Sequence, residues 1–225
     1  MKLLLWDIDG TLVNVRRLGA RALNEALHEL YGKDSSIRAR SMAGKTDLQI
    51  LDEFLSQNAI PCRDLKAECR KVVPLYLRRL KTSLKGNTDP FLYPNTRELL
   101  ARYSRSSGIV HGLLTGNFKP TARAKLEHFS LWRFFRIGAF GETSTVRADL
   151  APAALADFTK KTGKKPARED VFVIGDTPND VLTARTHNLR SIAVATGNFS
   201  VDELRTAGAE FVLKDLTEFP LEIFE

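Results

Sequence analysis

Residues 2–12 read Lys2-Leu3-Leu4-Leu5-Trp6-Asp7-Ile8-Asp9-Gly10-Thr11-Leu12, and the change of character halfway along this stretch decides the fold. Leu3, Leu4, Leu5 and Trp6 run apolar without alternation, the pattern of a short strand covered on both faces in a parallel sheet. The run stops at Asp7, and in an extended chain Asp7 and Asp9 project to the same side. Gly10 lets the backbone turn, and Thr11 brings a hydroxyl that can cap a helix. Open α/β sheets gather ligands just beyond the carboxyl ends of their strands. The two carboxylates therefore stand where a site belongs, and such a close pair needs a cation or a proton between them.

The chain has 225 residues, 43% of them hydrophobic and 27% charged, which suits one sizeable core or a core with a smaller inserted domain. No stretch is long enough to span a bilayer, and the first apolar run is too short for a signal peptide, so neither membrane nor export is expected. Cys62 and Cys69 lack a second metal-like pair or a nearby histidine. Buried thiols in a reducing cytoplasm are the expectation, not a zinc site. The net charge of +7 is unevenly placed: residues 15–88 hold 15 Lys and Arg against 8 Asp and Glu, and the rest of the chain is balanced.

That charged block also differs in periodicity. Apolar residues at helical spacing predict a helix over residues 15–31, stopped by Gly32. A polar loop follows over 33–40. Thr46 or Asp47 can then cap a second helix carrying Leu48, Ile50, Leu51, Phe54 and Leu55. A third starts near Cys62 or Arg63, with a kink or break expected at Pro74, and residues 85–90 read as a linker. From Pro94 onward helices and short apolar strands alternate, with strands predicted at 109–114, 136–140, 171–174, 191–196 and 211–213. Strands separated by helices of this length imply right-handed crossovers and a doubly wound parallel sheet. The expected organisation is thus an α/β core of residues 1–14 and 89–225, with an all-helical domain of residues 15–88 inserted into it.

Three predicted strand ends carry the groups a phosphate site needs. Asp7 and Asp9 follow the first. Thr115-Gly116-Asn117 follows another and opens a helix, where a hydroxyl and exposed N–H groups suit an anion. Asp176 ends a third, with Asp180 one helical turn further on. Carboxylates converging without a histidine or cysteine cluster suit a hard cation such as Mg²⁺.

At these residues the chain resembles the haloacid dehalogenase superfamily. DIDGTL (7–12 with its leading Asp7) is similar to that family's first motif, LLTGN to its second and VIGDTPND to its fourth. The helical insertion resembles a cap of the phosphoglycolate phosphatase type, as do Ala43-Gly44-Lys45-Thr46-Asp47 and Ala193-Val194-Ala195-Thr196-Gly197. One element departs from the family pattern. A lysine is usual before the last helix preceding the fourth motif, but residues 141–150 contain none. Arg147 is the nearest cation, with Lys160 or Lys161 as alternatives.

The resemblance implies a Mg²⁺-dependent phosphatase acting on a small phosphorylated metabolite, of the phosphoglycolate or sugar phosphate type. Asp7 would attack phosphorus to give an aspartyl-phosphate. Asp9 would protonate the leaving oxygen and then activate water. The metal would be held by the Asp7 carboxylate, the Asp9 carbonyl and Asp176, with Asp180 orienting bound water. Thr115, Gly116, Asn117 and Arg147 would hold phosphoryl oxygens, and Gly44, Lys45 and Thr46 would contribute to substrate specificity. Lys45 reads equally as a solvated loop residue. A phosphomutase of the β-phosphoglucomutase type is the nearest alternative, and a non-catalytic binding protein on the same fold a more distant one. Excess positive charge in the cap suits an anionic substrate, and no nucleic-acid motif accompanies it. A monomer or homodimer is expected.

Overall fold

Leu3, Leu4, Leu5 and Trp6 are wholly buried, and the computed structural model, which describes residues 1–34, 37 and 42–224, places their strand, β1 (Lys2–Trp6), inside a six-stranded sheet. A two-residue strand follows, β2 (Val13–Asn14), and then helices α1 (Leu18–Tyr31), α2 (Asp47–Gln57) and α3 (Leu65–Leu84). The chain returns through β3 (Phe91–Leu92). It then alternates through α4 (Thr96–Tyr103), β4 (Ile109–Leu114), α5 (Lys119–His128), β5 (Ile137–Ala139), α6 (Leu150–Thr162), β6 (Val171–Gly175), α7 (Pro178–Thr186), β7 (Arg190–Val194), α8 (Val201–Thr206) and β8 (Phe211–Leu213). The strand order is β5-β4-β1-β6-β7-β8, with every pair parallel. This is the doubly wound α/β sheet that the alternation predicts.

The two-residue period of β1 divides the core. Leu3 and Leu5 face Leu150, Ala151, Ala154 and Phe158 of α6. Leu4 and Trp6 join Leu99, Leu100 and Tyr103 of α4 on the other face. Each wholly buried leucine contributes about 1.5–3 kcal/mol. The second cluster runs on without a gap through Val13, Val15, Phe118 and Ala122 into the buried stripes of α1, α2 and α3. Those helices therefore share apolar packing with the sheet.

Local signals explain most boundaries. Gly32 ends α1 in the left-handed region at φ 61°, and Thr46 caps α2 by accepting from the Gln49 N–H. The break expected at Pro74 is absent. α3 runs through Pro74 unbroken, starting behind Asp64, whose side chain accepts from the Lys66 N–H. The apolar stripe of Cys69, Val72, Tyr76, Leu80 and Leu84 is buried on both sides of the proline, and that packing outweighs the missing N–H. The linker leads into β3, which pairs antiparallel with β2. The two passages between helices and sheet are thus tied to each other, and strands of two residues carry no periodicity to find them by. The expected loop over 33–40 lies mostly outside the described residues. Among the described residues no helix is long and apolar enough to cross a membrane.

Trp6 stacks on Phe219 at 5.6 Å, and Phe219 stacks on Phe224 at 5.3 Å, closing this face with the C-terminal segment. The Trp6 Nε1–H donates to Nδ1 of His111 at 3.0 Å. Burial pushes the His111 imidazole down to about 4, which keeps Nδ1 free to accept. The unfolded chain takes up a proton from about pH 6.5 downward, but the folded chain does so only near pH 4. His111 should therefore cost stability as the pH drops through that window, by up to about 3 kcal/mol. In urea titrations at pH 7 and pH 5, wild type should lose more stability than His111→Gln, which keeps an acceptor for Trp6. Equal losses would mean that His111 does not titrate there.

Candidate active site

Because β1 lies between β4 and β6, residues just beyond their carboxyl ends meet over one edge of the sheet. The Asp7 N–H donates to the Ile174 carbonyl at 2.8 Å, extending the ladder by one residue. The Asp7 carboxylate is buried there, beside Asp176 and Asp180, and one oxygen from each of the three lies within 4.8 Å of the others.

Arg147 stands among these acids. Its guanidinium lies 3.1 Å from Asp7 Oδ2, and Nε and Nη2 donate to Asp180 Oδ1 at 3.1 and 2.5 Å. Burial pulls its pKa down, but Asp180 and Asp7 more than offset this and hold it above the ordinary arginine value. Burial pushes the Asp7 carboxyl up to about 6 against the pull of Arg147, with Asp180 and Asp9 adding to the rise. Burial, then Asp7 and Asp180, push Asp176 well above the carboxylate range. Asp180 spends its other oxygen on Thr177, accepting from the N–H at 3.1 Å and the hydroxyl at 2.7 Å in a capping box at the start of α7. Gly10, at φ 83°, lies so close to Asp176 that a Cβ there would sit 2.3 Å from Oδ2. Lys160 and Lys161 are exposed at the far end of α6, and Lys161 is bound to Asp157 and the Arg136 carbonyl.

The Asp9 carboxylate has different surroundings. It is 40% exposed, and its Oδ2 accepts from Asn117 Nδ2 at 2.8 Å and from Lys125 Nζ at 2.6 Å. Asn117 Nδ2 also donates to Thr115 Oγ1 at 2.8 Å, tying the pair to the end of β4. Sequence reasoning passed over Lys125. The available signal was its place on α5 between Ala122 and Leu126, on a face whose other residues are buried.

Residues 44–47 bring the helical segment down onto this edge. Asp47 N–H donates to the Gly116 carbonyl at 2.7 Å, and Asp47 Oδ2 accepts from the Phe118 N–H at 2.8 Å. Thr46 Oγ1 donates to the Ser144 carbonyl, and Asn179 Nδ2 donates to the Gly44 carbonyl. Gly116 is required by this approach, since a Cβ there would stand 2.0 Å from the Lys45 carbonyl oxygen. Lys45 Nζ is paired with Glu53 at 2.6 Å. Burial pushes the Asp47 carboxyl up to about 7. A cavity of about 310 Å³ lies between, lined by Asp7, Asp9, Lys45, Tyr76, Asn117 and Lys125 among others. The basic face of α3 lies elsewhere: Arg78 and Arg79 hold Glu29, beside an open groove that shares no lining residue with this cavity.

All the buried Asp, Lys and Arg side chains among the described residues are gathered here: Asp7, Asp47, Asp176 and Asp180 against Lys125 and Arg147. The excess of acid can be balanced by protons or by a cation. With oxygen donors alone at this spacing, a hard divalent ion fits the Asp7, Asp176 and Asp180 cluster.

The haloacid dehalogenase-like hydrolase family model matches residues 1–188. The phosphoglycolate phosphatase of Pseudomonas fluorescens is 27% identical over 200 residues, covering 87% of this chain and 70% of that protein. The phosphoglycolate phosphatase of Vibrio parahaemolyticus is 24% identical over 220 residues, covering 97% and 94%. In fold, the chain is similar to CbbY from Rhodobacter sphaeroides, solved in complex with phosphate, at a TM-score of 0.76 and 21% identity over 98% of this chain and 96% of that one.

The crowding predicts a trade between stability and metal response. Because the Asp176 pKa is raised on folding, its ionisation opposes folding increasingly as the pH rises above the ordinary carboxylate range. Without divalent cation, Asp176→Asn should therefore melt above wild type at pH 7.5, with the gain gone near pH 4. Added Mg²⁺ should raise the wild-type Tm and leave the variant's nearly unchanged. A variant that melts lower without metal, or responds equally to it, would contradict this account.

Proposed function

The chain belongs to the haloacid dehalogenase-like hydrolases and is a phosphatase, and on that premise we propose that it hydrolyses a small phosphorylated metabolite, of the phosphoglycolate or sugar phosphate type, through an aspartyl-phosphate on Asp7 with Mg²⁺ as cofactor. One observation carries this reading. Two carboxylates two residues apart stand in different surroundings, Asp7 buried against Arg147, Asp176 and Asp180, and Asp9 turned to Asn117 and Lys125 at the cavity. The first is equipped as a nucleophile in an ion-binding cluster, the second as a proton carrier.

In this mechanism Asp7 attacks phosphorus in line, and the bond to the leaving oxygen breaks as Asp9 gives that oxygen its proton. Asp9 then takes a proton from the water that attacks the aspartyl-phosphate, and Asp7 is released. The Asp7 and Asp176 carboxylates and the Asp9 carbonyl would hold Mg²⁺, with Asp180 supporting from behind. When bound, the ion neutralises charge on the nucleophile and the phosphoryl oxygens. Thr115, Gly116 and Asn117 present a hydroxyl and N–H groups to the transferring group. Arg147 balances Asp7 and Asp180 and adds positive charge beside the phosphoryl oxygens. Residues 15–88 act as a cap over a core of residues 1–14 and 89–225, with Gly44, Lys45 and Thr46 as its specificity loop. Support comes from the four cap-to-core hydrogen bonds at residues 44–47.

A screen of phosphorylated metabolites, run with Mg²⁺ and with EDTA, should find activity that EDTA abolishes. Asp7→Asn should fold and show no turnover, and wild type quenched in acid should carry one phosphoryl group on Asp7. Normal turnover by folded Asp7→Asn would rule out the covalent route. Arg147→Ala leaves Asp7 and Asp180 without their cation, so activity should fall by about 100-fold or more. Arg147→Lys should recover part of it, because one ammonium cannot reproduce the planar fork. An Ala variant within twofold of wild type would assign the role to another cation.

A further inference from the structure

We propose that Lys125 is a positioning residue for the proton transfer to the leaving group, setting the orientation of the Asp9 carboxylate. The inference rests on the phosphatase reading above. Lys125 and Arg147 are the two buried cations among the described residues, and Lys125 is 3% exposed. Its helix position lies on the buried face of α5 beside Ala122 and Leu126, where an apolar side chain would avoid the desolvation of an ammonium. What the ammonium gains there is a closed ring of hydrogen bonds. Nζ lies 2.6 Å from Asp9 Oδ2 and 2.6 Å from Asn117 Oδ1, and Asn117 Nδ2 lies 2.8 Å from the same Asp9 oxygen.

Two consequences follow from the geometry. Both donors engage Oδ2, so the carboxylate cannot rotate without breaking two bonds, and Oδ1 is the oxygen left to exchange the proton. The ring also reaches beyond the strand ends. A Cβ on Gly19 of α1 would lie 3.4 Å from Lys125 Nζ and 3.5 Å from the hydroxyl of the fully buried Tyr76 of α3. The helical segment thus packs directly over the ammonium, and seating of those helices is coupled to the orientation of Asp9. Arg147 has no part in this, since it serves Asp7 and Asp180.

The test compares two esters on Lys125→Met, which keeps an unbranched side chain as far as Cε and removes the charge and donors. An alkyl phosphate needs a proton on its leaving oxygen, but p-nitrophenyl phosphate expels a stable anion that does not. kcat/KM reports only the steps up to loss of the leaving group, so later water attack does not enter. Lys125→Met should lower kcat/KM about 100-fold for the alkyl ester, the lower range of general acid catalysis, and less than about fivefold for the aryl ester. A merely structural or phosphate-binding lysine would lower both alike, and that result, or no loss on either, overturns the inference. If Lys125→Met does not fold, Lys125→Gln is read by the same ratio of losses, and an unchanged ratio overturns it. A wild-type protein inactive on phosphoesters would remove the reading beneath, whereas an active wild type with an unchanged ratio overturns this inference alone.

Discussion

The structure depends on one electrostatic constraint, the enclosure of Asp7 and Asp180 around a single guanidinium. Arg147 lies within 3.1 Å of both carboxylates, and the three side chains are almost wholly buried. Removed from water, each charge would be costly alone, and the arrangement persists because the partners satisfy one another. The balance is incomplete, since Asp176 and Asp47 are buried at the same edge and, among the described residues, Lys125 is the one further buried cation. Burial raises the cost of ionising Asp176 and Asp47, and a cation held by Asp7, Asp176 and Asp180 would offset it. Local destabilisation in the service of chemistry is a common bargain in enzymes.

The parallel sheet makes such crowding possible. With β1 flanked by β4 and β6, three carboxyl ends open side by side, and a residue one step past each strand reaches the same point. The apolar interior, divided by the alternation of β1 into two clusters, fixes those ends rigidly. The helical segment enters between β2 and β3, which pair with each other, and its residues 44–47 settle onto the loop after β4 closely enough that only glycine fits at 116. On α3, Arg78 and Arg79 are turned away from this edge and form ion pairs with Glu29, whereas Arg16, Arg17 and Lys45 line the cavity.

How far the site is legible in the sequence depends on how local each signal is. Asp7, Asp9, Thr115, Asn117 and Asp176 each follow an apolar strand directly, and Asp180 comes one helical turn later, so their positions can be read from short motifs. Arg147 stands out only because a lysine is missing from a region where the resemblance expects one and it is the nearest cation, with Lys160 and Lys161 as the alternatives. Lys125 was overlooked because α5 and its flanks contain several basic residues. Its one distinction, a place on the buried face, emerges when the helix is docked. The unbroken course of α3 through Pro74 likewise depends on packing along its length, which outweighs a local preference.

Apart from the two-residue strands β2 and β3, the sequence by itself determined the order of strands and helices, the parallel α/β architecture and the residues at three strand ends, because these follow from periodicity and from side chains adjacent in the chain. Tertiary structure alone decided which groups share a charge. Arg147 meets Asp180 across 33 residues, Lys125 meets Asp9 across 116, and Thr46 meets the Ser144 carbonyl across 98. Contacts of that separation leave no periodic trace, since they arise when strand ends and helix faces are brought to one edge of the sheet. The buried ammonium beside Asp9 is thus a property of the folded chain, set by where α5 lies against α1 and α3.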